Sequence, residues 1–254
     1  MKQLAPLAAL VGLAVTVLPA PARAADPTEI TILCSNGLKA VVDDLAPKFE
    51  RESKHKVKVT YGLAAGLKQQ IEGGAPFDVA FLTPGAIDDL VKGGKIAAET
   101  KATIARSGLA IAVKAGARKR DVSTVDAFKR ALLDAKGIAY AKEGASGVAF
   151  AALVAKMGIA DALKATSRPT ATGEAVGEEI LTGQSEFGIL PVSEILPIKG
   201  VEMLAPFPAE VQSYIVMVGG VNAGSTHGAA ARDFLKYLTA PAALPTIKKT
   251  GMER

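Results

Sequence analysis

Four loops rich in small residues contain the residue types in this sequence that best fit ligand chemistry. They are Ser35-Asn36-Gly37, Leu63-Ala64-Ala65-Gly66, Ala145-Ser146-Gly147 and residues 173–176. Each precedes a segment with helical spacing of apolar residues, so each leaves unpaired backbone N–H groups at a helix start. Small residues let a ligand approach that backbone closely, and the helix dipole favours an anion. The loops therefore predict a site for a small anion, although the same residue types also form ordinary caps and turns.

Known catalytic and metal-binding motifs do not accompany these loops. The sequence has no G-x-S-x-G motif and no glycine-rich phosphate loop with a following lysine. The acidic pair Asp43-Asp44 diverges on a helix, because neighbouring residues point in different directions. His55 and His227 are isolated from each other and from the single cysteine. The sequence therefore predicts a protein that is not an enzyme and that has no metal or cofactor.

Cys34 is the one unusual residue next to a candidate ligand loop, because it directly precedes Ser35. A nucleophilic thiol needs a base, and neither His55 nor His227 is placed by the sequence to serve as one. The position favours a small buried side chain at the end of a strand, with a nucleophile as the alternative.

The first 24 residues have the pattern of a secretory signal peptide. Lys2 gives a positive start, residues 4–18 are almost wholly apolar, and the stretch ends in Ala22-Arg23-Ala24. A membrane anchor is the alternative, but an apolar run of about 15 residues is shorter than the roughly 20 that a spanning helix needs. We therefore predict cleavage after Ala24 and a periplasmic location. The net charge of +5 is too small and too dispersed to indicate nucleic acid as a partner.

Short apolar runs alternate with amphipathic stretches along the rest of the chain, which is typical of an α/β fold. Strands are predicted at 30–33, 57–61, 78–82, 108–113, 137–141, 187–190 and 213–219. Helices are predicted at 38–53, 86–93, 124–133, 148–157, 174–181 and 227–238, and residues 62–66 are predicted to turn into a helix that runs through Leu67 and Ile71 and stops at Gly73-Gly74. Two similar α/β series in one chain predict two lobes, with the chain crossing between them.

The sequence resembles the substrate-binding proteins of ABC transporters, in particular the molybdate-binding group. The resemblance is carried by Thr31-Ile-Leu-Cys-Ser-Asn-Gly-Leu-Lys39, by Gln69-Gln-Ile-Glu-Gly-Gly-Ala-Pro-Phe-Asp-Val79 and by the closing segment from Ala231 to Pro241. It implies two Rossmann-like α/β lobes with a double crossover, as in type II periplasmic binding proteins. The implied boundaries are 25–105 plus 222–254 for lobe 1 and 106–221 for lobe 2. It also implies a monomer that delivers a small anion to an ABC permease in the inner membrane.

The resemblance also implies which residues hold the ligand. Ser35 matches the serine of the first loop, Ser146 and Gly147 match a backbone-donor loop, and Val176 matches a donor at a helix start. Ala65 and Pro191 fall where that family usually has a serine and a tyrosine. Two hydroxyls are therefore missing, which favours a small organic acid over molybdate, while an oxyanion stays open.

Other side chains are expected to compensate for the missing hydroxyls. Asn36, Thr83, Ser193 and Glu194 are candidates, and Arg106, next to Ser107 near the crossover, would pair with a carboxylate in a bidentate manner. The full predicted ligand-binding set is Ser35, Asn36, Gly37, Ala64, Ala65, Thr83, Arg106, Ser107, Ser146, Gly147, Val176, Pro191 and Ser193. The alternatives to a transport function are a ligand-sensing adaptor for a membrane receptor and an enzyme that reuses the fold.

Overall fold

The computed structural model describes residues 27–254, so the predicted signal peptide at 1–24 lies outside the described residues. The described strands are β1 (Glu29–Ser35), β2 (Lys56–Gly62), β3 (Val79–Leu82), β4 (Ala102–Lys114), β5 (Ile138–Ala141), β6 (Ser167–Thr170), β7 (Phe187–Pro191), β8 (Val201–Pro206) and β9 (Tyr214–Val221). The described α-helices are α1 (Lys39–Ser53), α2 (Ala64–Glu72), α3 (Pro84–Lys92), α4 (Val125–Leu133), α5 (Ala145–Lys156), α6 (Gly173–Leu181), α7 (Val192–Ile195), α8 (Gly228–Thr239) and α9 (Leu244–Lys249). Short 3-10 turns lie at Asn36–Leu38, Ala98–Thr100, Ala209–Val211 and Pro241–Ala243.

The strands form two sheets that share β4. In the first sheet the order is β2-β1-β3-β9-β4, with β1 parallel to β2 and β3, and β9 antiparallel to β3 and β4. In the second sheet β4 pairs with β7 and β8, and β5 lies parallel between β7 and β6. The chain passes from the first sheet to the second along β4 and returns to the first at β9. The predicted α/β class with a double crossover is confirmed.

Helices cover both faces of the first sheet, as a largely parallel sheet requires. On one face Phe49 of α1 and Phe234 of α8 pack edge to face, with ring centroids 5.0 Å apart, and Phe234 also packs against Phe81 of β3. On the other face Ile71 of α2 and Leu90 of α3 are buried against the sheet. This packing of helices on the sheet fixes the positions of the helix starts relative to the strand ends. The candidate functional site lies at these strand ends.

Several elements differ from the prediction. The predicted strand at 108–113 is the second half of the longer β4, and β6, β8, α7 and α9 were not predicted. Both missed strands are largely exposed or half-buried along their length, so they lack the apolar alternation that identifies a strand in a sequence.

The lobe boundaries stay a prediction, and the strand pairing bears on one of them. The predicted boundary assigns residues 214–221 to the second lobe, whereas β9 pairs with β3 and with the first half of β4. Among the described residues, no helix is long and apolar enough to cross a membrane.

Candidate functional site

A cavity of about 310 Å³ lies where several helices start, between the two sheets. Its lining comes from the end of β1, from the segments that enter α2, α3, α5 and α6, and from β7, α7 and β9. The lining residues are Ser35, Asn36, Leu63, Ala64, Ala65, Thr83, Ala141, Glu143, Gly144, Ala145, Ser146, Val148, Gly173, Pro191, Glu194, Ile215 and Met217. Because strands of both sheets end here, free N–H groups of several helix starts converge on one space.

Four neutral polar side chains in the lining have no hydrogen-bond partner among residues 27–254. They are Ser35, Asn36, Thr83 and Ser146. Ser35 and Thr83 occupy N-cap positions, yet neither hydroxyl bonds to its helix. At two caps away from the cavity lining the threonines behave differently: Thr124 accepts from Ala127 N and Thr172 accepts from Ala175 N, each at 3.2 Å. The cleft side chains are therefore free to bond to a ligand.

Seven of the predicted ligand-binding residues line this cavity: Ser35, Asn36, Ala64, Ala65, Thr83, Ser146 and Pro191. Ala65 and Pro191 have no polar side-chain group. These are the two positions at which the molybdate-binding group usually has a serine and a tyrosine, as noted in the sequence analysis. The binding roles of all seven stay predictions.

Three other predicted residues lie behind the wall of the cavity. Gly147 is buried in the first turn of α5, and a Cβ atom there would lie 1.9 Å from the carbonyl oxygen of Ala141. Gly37 is buried against Met217. Val176 is buried in α6, and its N–H donates to the carbonyl of Thr172 at 3.3 Å. The expected ligand donor at Val176 is therefore corrected, because that N–H is used within the helix.

Arg106 is not in the cavity, which corrects its predicted role as an anchor. Its Nε and Nη2 atoms both lie 2.9 Å from Oε1 of Glu253, and its guanidinium stacks 4.3 Å over the ring of Tyr214. Alternate residues of a strand face opposite sides, so Ser107 points into the protein while Arg106 points out of it.

Ser107 and Ser193 connect separate parts of the chain and do not line the main cavity. Ser107 Oγ donates to the carbonyl of Gly251 at 3.0 Å and accepts from Ser193 N at 3.1 Å. Ser193 Oγ in turn donates to the carbonyl of Gly37 at 3.1 Å. This chain of hydrogen bonds links α7, which follows the second sheet, to the turn that follows β1 in the first sheet. Ser193 also lines an adjoining cavity of about 230 Å³.

Two carboxyl groups line the cavity: Glu194, which the sequence analysis named as a candidate but left out of the full predicted set, and Glu143, which it did not name. Burial, with a smaller contribution from the charge of Glu174, raises the pKa of Glu194 to about 7. A glutamate in a four-residue helix gives no sequence signal of burial. The available signal was its position, directly after the strand that ends at Pro191.

The donors available to a ligand in the cavity are backbone N–H groups and neutral side chains. Among the described lining residues there is no lysine or arginine. Lys39 reaches the adjoining cavity, but its amine is bound to Asp43 at 2.8 Å and lies over the ring of Tyr61. An anion in the main cavity would therefore be held by helix-start N–H groups and neutral hydroxyls.

A cleft at helix starts between two sheets that share a crossover strand defines a solute-binding protein of the periplasmic type. Residues 30–253 match the family model described as bacterial extracellular solute-binding protein, and the chain belongs to that family. It is 29% identical over 240 residues to an aconitate isomerase of a Pseudomonas species, covering 92% of this chain and 91% of that protein. It is also 29% identical over 179 residues to the molybdate-binding protein ModA of Azotobacter vinelandii, covering 68% of this chain and 69% of the relative.

Solved structures show the same fold. The periplasmic molybdate-binding protein of Azotobacter vinelandii superposes with a TM-score of 0.74 at 19% identity, covering 89% of this chain and 99% of that chain. The resemblance to molybdate-type substrate-binding proteins of ABC transporters is thereby confirmed at the level of family and fold.

Proposed function

We propose that the protein captures a small organic acid in the 310 Å³ cleft and that it works as the extracytoplasmic binding component of an ABC importer. The observation that carries this proposal is the set of unbonded side chains, Ser35, Asn36, Thr83 and Ser146, around converging helix starts. Neutral hydroxyl, amide and backbone N–H donors suit a carboxylate without the strong desolvation cost of burying a lysine or arginine.

Two features favour an organic acid over molybdate. Ala65 and Pro191 supply no hydroxyl to an oxyanion, and the carboxyls of Glu143 and Glu194 line the same space. Ionised carboxyls there repel any anion, and a protonated Glu194 can donate a hydrogen bond to a ligand carboxylate. The cavity volume also falls at the lower end of the ~300–1,000 Å³ range of organic ligand sites.

A second candidate function is isomerisation of an unsaturated carboxylic acid. It is supported by the identity to an aconitate isomerase, which extends over 92% of this chain, whereas the match to the Azotobacter relative covers 68%. It is also supported by Glu194, a carboxyl in the cleft whose pKa of about 7 suits proton transfer. Binding is the step that both candidates share.

A ligand screen tests the proposed function. Thermal shift and calorimetry against molybdate, tungstate, sulfate and a panel of di- and tricarboxylates should give stabilisation by a carboxylate and none by molybdate. A ligand at a hundredfold excess over its Kd adds about 2.7 kcal/mol of stability, which is a clear shift. Strong stabilisation by molybdate alone would contradict the proposal.

A pair of cap variants tests the site. We expect Ser35→Ala to weaken binding of the carboxylate about 10- to 100-fold, because a hydrogen bond to a charged group contributes about 1.5–3 kcal/mol. The stability of the unliganded protein should stay unchanged, since this hydroxyl bonds to nothing within the described chain. The matched control, Thr124→Ala, should show the reverse: a loss of about 1 kcal/mol in stability and an unchanged Kd by calorimetry. Equal affinities of Ser35→Ala and the wild type would remove Ser35 from the site.

A further inference from the structure

Glu194 stands between the two cavities of the interlobe space. It lines both the cleft of about 310 Å³ and the adjoining cavity of about 230 Å³. Its Oε2 atom lies 2.4 Å from where a side chain on Gly173 would begin, so a glycine at 173 is required for the carboxyl to lie at the start of α6. Within residues 27–254 the Glu194 carboxyl makes no hydrogen bond. A half-buried carboxyl that faces a cavity and has no protein partner is available to a ligand, which points to a function there.

The charged groups around Glu194 leave it without a cation. Glu174 of α6 lines the adjoining cavity, and Glu143 lines the main cleft before α5. From α1 the adjoining cavity is reached by Lys39 and Asp43, which are paired with each other at 2.8 Å. Burial and the negative charge of Glu174 therefore raise the pKa of Glu194 to about 7. At neutral pH both its acid and its base forms are populated, as a proton-transfer group requires.

We propose that Glu194 is the catalytic acid–base residue of this cleft and that it moves a proton between two carbons of a bound unsaturated carboxylic acid. This inference rests on the second candidate function above. It assigns the substrate class as a carboxylic acid that carries a hydrogen on the carbon next to a carbon–carbon double bond. The carboxyl faces the same space as the free hydroxyls of Ser35, Thr83 and Ser146, so a substrate held by those groups lies against it.

The reaction is an allylic proton shift that needs no oxidant, reductant or second substrate. The Glu194 carboxylate takes the proton from the saturated carbon, and the electron pair of the broken C–H bond forms the new double bond. The electrons of the former double bond move onto the conjugated carboxylate of the substrate. Protonated Glu194 then returns the proton to the carbon at the far end of the former double bond, so the carboxylate is regenerated and atoms and charge balance.

The helix starts around the cleft supply what such an intermediate needs. Negative charge accumulates on the substrate carboxylate while the proton is on Glu194. The first residues of α2 and α5 line the same cavity, as does Thr83 just before α3, and fixed N–H donors at helix starts stabilise developing charge effectively. The base and the charge-stabilising groups therefore belong to different elements, with the substrate space between them.

Deuterium exchange tests the inference. The purified protein is incubated with trans-aconitate, and separately with cis-aconitate, in D₂O, and proton NMR follows loss of the allylic proton signal and formation of the other isomer. We expect the wild type to catalyse both, with a rate that rises with pH through about 7. Glu194→Gln should slow both by at least about 100-fold, the lower range for loss of an acid–base group, while calorimetry shows that aconitate still binds. Glu210→Gln, on the exposed turn Ala209–Val211, serves as the matched control with a normal rate.

Each contrary outcome has its own meaning. If the wild type binds a carboxylate but exchanges no proton, the inference is wrong and the binding function stands. If Glu194→Gln exchanges at the wild-type rate, or if only Glu143→Gln abolishes exchange, the assignment to Glu194 is wrong. If no carboxylate binds at all, the proposed function itself fails.

Discussion

Serine and threonine caps in this protein divide into two groups according to what their hydroxyls contact. Thr124 and Thr172 bond to their own helices, whereas Ser35 and Thr83 leave their helix N–H groups uncapped and face a cavity. A free cap forgoes about 1 kcal/mol of helix stabilisation. Among these four serine and threonine caps, the cap hydrogen bond is absent only at the two that face the cleft. This is the pattern expected where a bound ligand supplies the missing hydrogen-bond partners.

The ionisation of Glu194 makes a testable contribution to stability. Its pKa rises from about 4.5 to about 7 on folding, so between these pH values the unfolded chain ionises while the folded protein keeps its proton. The contribution of Glu194 to the free energy of unfolding is therefore greatest below pH 4.5, and it falls by about 3 kcal/mol as the pH rises through 7. We expect Glu194→Gln to match the wild type near pH 4 and to be more stable by up to that amount at pH 8.

Urea unfolding of the unliganded protein at a series of pH values measures this effect. The control, Glu210→Gln, should parallel the wild type across the range because its carboxyl lies on an exposed turn. If the plots of unfolding free energy against pH stay parallel for Glu194→Gln and the wild type, the Glu194 carboxyl ionises in the folded protein as it does in the unfolded chain.

The sequence predicted the ligand loops better than it predicted the charged side chains. Ser35, Thr83 and Ser146 line the cavity, because a loop between a strand and a helix has a defined position at the sheet edge, and their binding roles stay predictions. Arg106 was placed wrongly because its direction depends on the strand register and on Glu253, 147 residues away in sequence. Glu194 was named as a candidate but left out of the full predicted set, because burial of a carboxyl depends on the packing of distant elements.

The start of helix α5 shows how one element is fitted against a strand end. A side chain on Gly147 would overlap the carbonyl oxygen of Ala141, which terminates β5. We expect Gly147→Ala to destabilise the protein by about 1–3 kcal/mol or more, because the helix would have to shift. The matched control is Gly66→Ala in α2, where a Cβ atom meets nothing within 4 Å.

Alanine at position 66 should stabilise the protein by about 0.4–1 kcal/mol through lower entropy of the unfolded chain. Chemical denaturation of both variants gives the comparison. Stabilisation by Gly147→Ala, similar to that at position 66, would show that α5 is not held against β5 as described.

Elements with a continuous buried face were predictable, and edge elements were not. The strands β1 and β3 and the helix α8 follow clear apolar patterns, and their predicted positions agree with the structure to within a few residues. The strand β6 is recognisable only through its pairing with β5, because no residue in it is buried. Pairing partners are a property of the folded sheet and leave no periodic pattern in the sequence.

At the scale of the whole molecule, a hydrogen bond joins the segment after the second sheet to the turn that follows β1 in the first sheet. The bond from Ser193 Oγ to the Gly37 carbonyl connects the two sides directly beneath the cleft. We expect this bond to help hold the two sides together around a ligand, so Ser193→Ala should speed ligand release by roughly fivefold, equivalent to the loss of about 1 kcal/mol.

Stopped-flow displacement of a bound carboxylate measures that release rate. Ser123→Ala in the exposed loop before α4 is the matched control and should leave the rate unchanged. A Ser193→Ala variant with wild-type release but slower capture would show that this bond shapes the open form instead.

The burial of Cys34 has a practical consequence for optical work on this protein. It is the single cysteine of the sequence, its side chain is inaccessible, and burial raises the pKa of its thiol far above neutrality. The native thiol is therefore inert to maleimide dyes while the fold is intact. A cysteine introduced at an exposed rim position such as Val148 would take a fluorophore selectively, and the chain would become a single-label sensor without removal of any native residue.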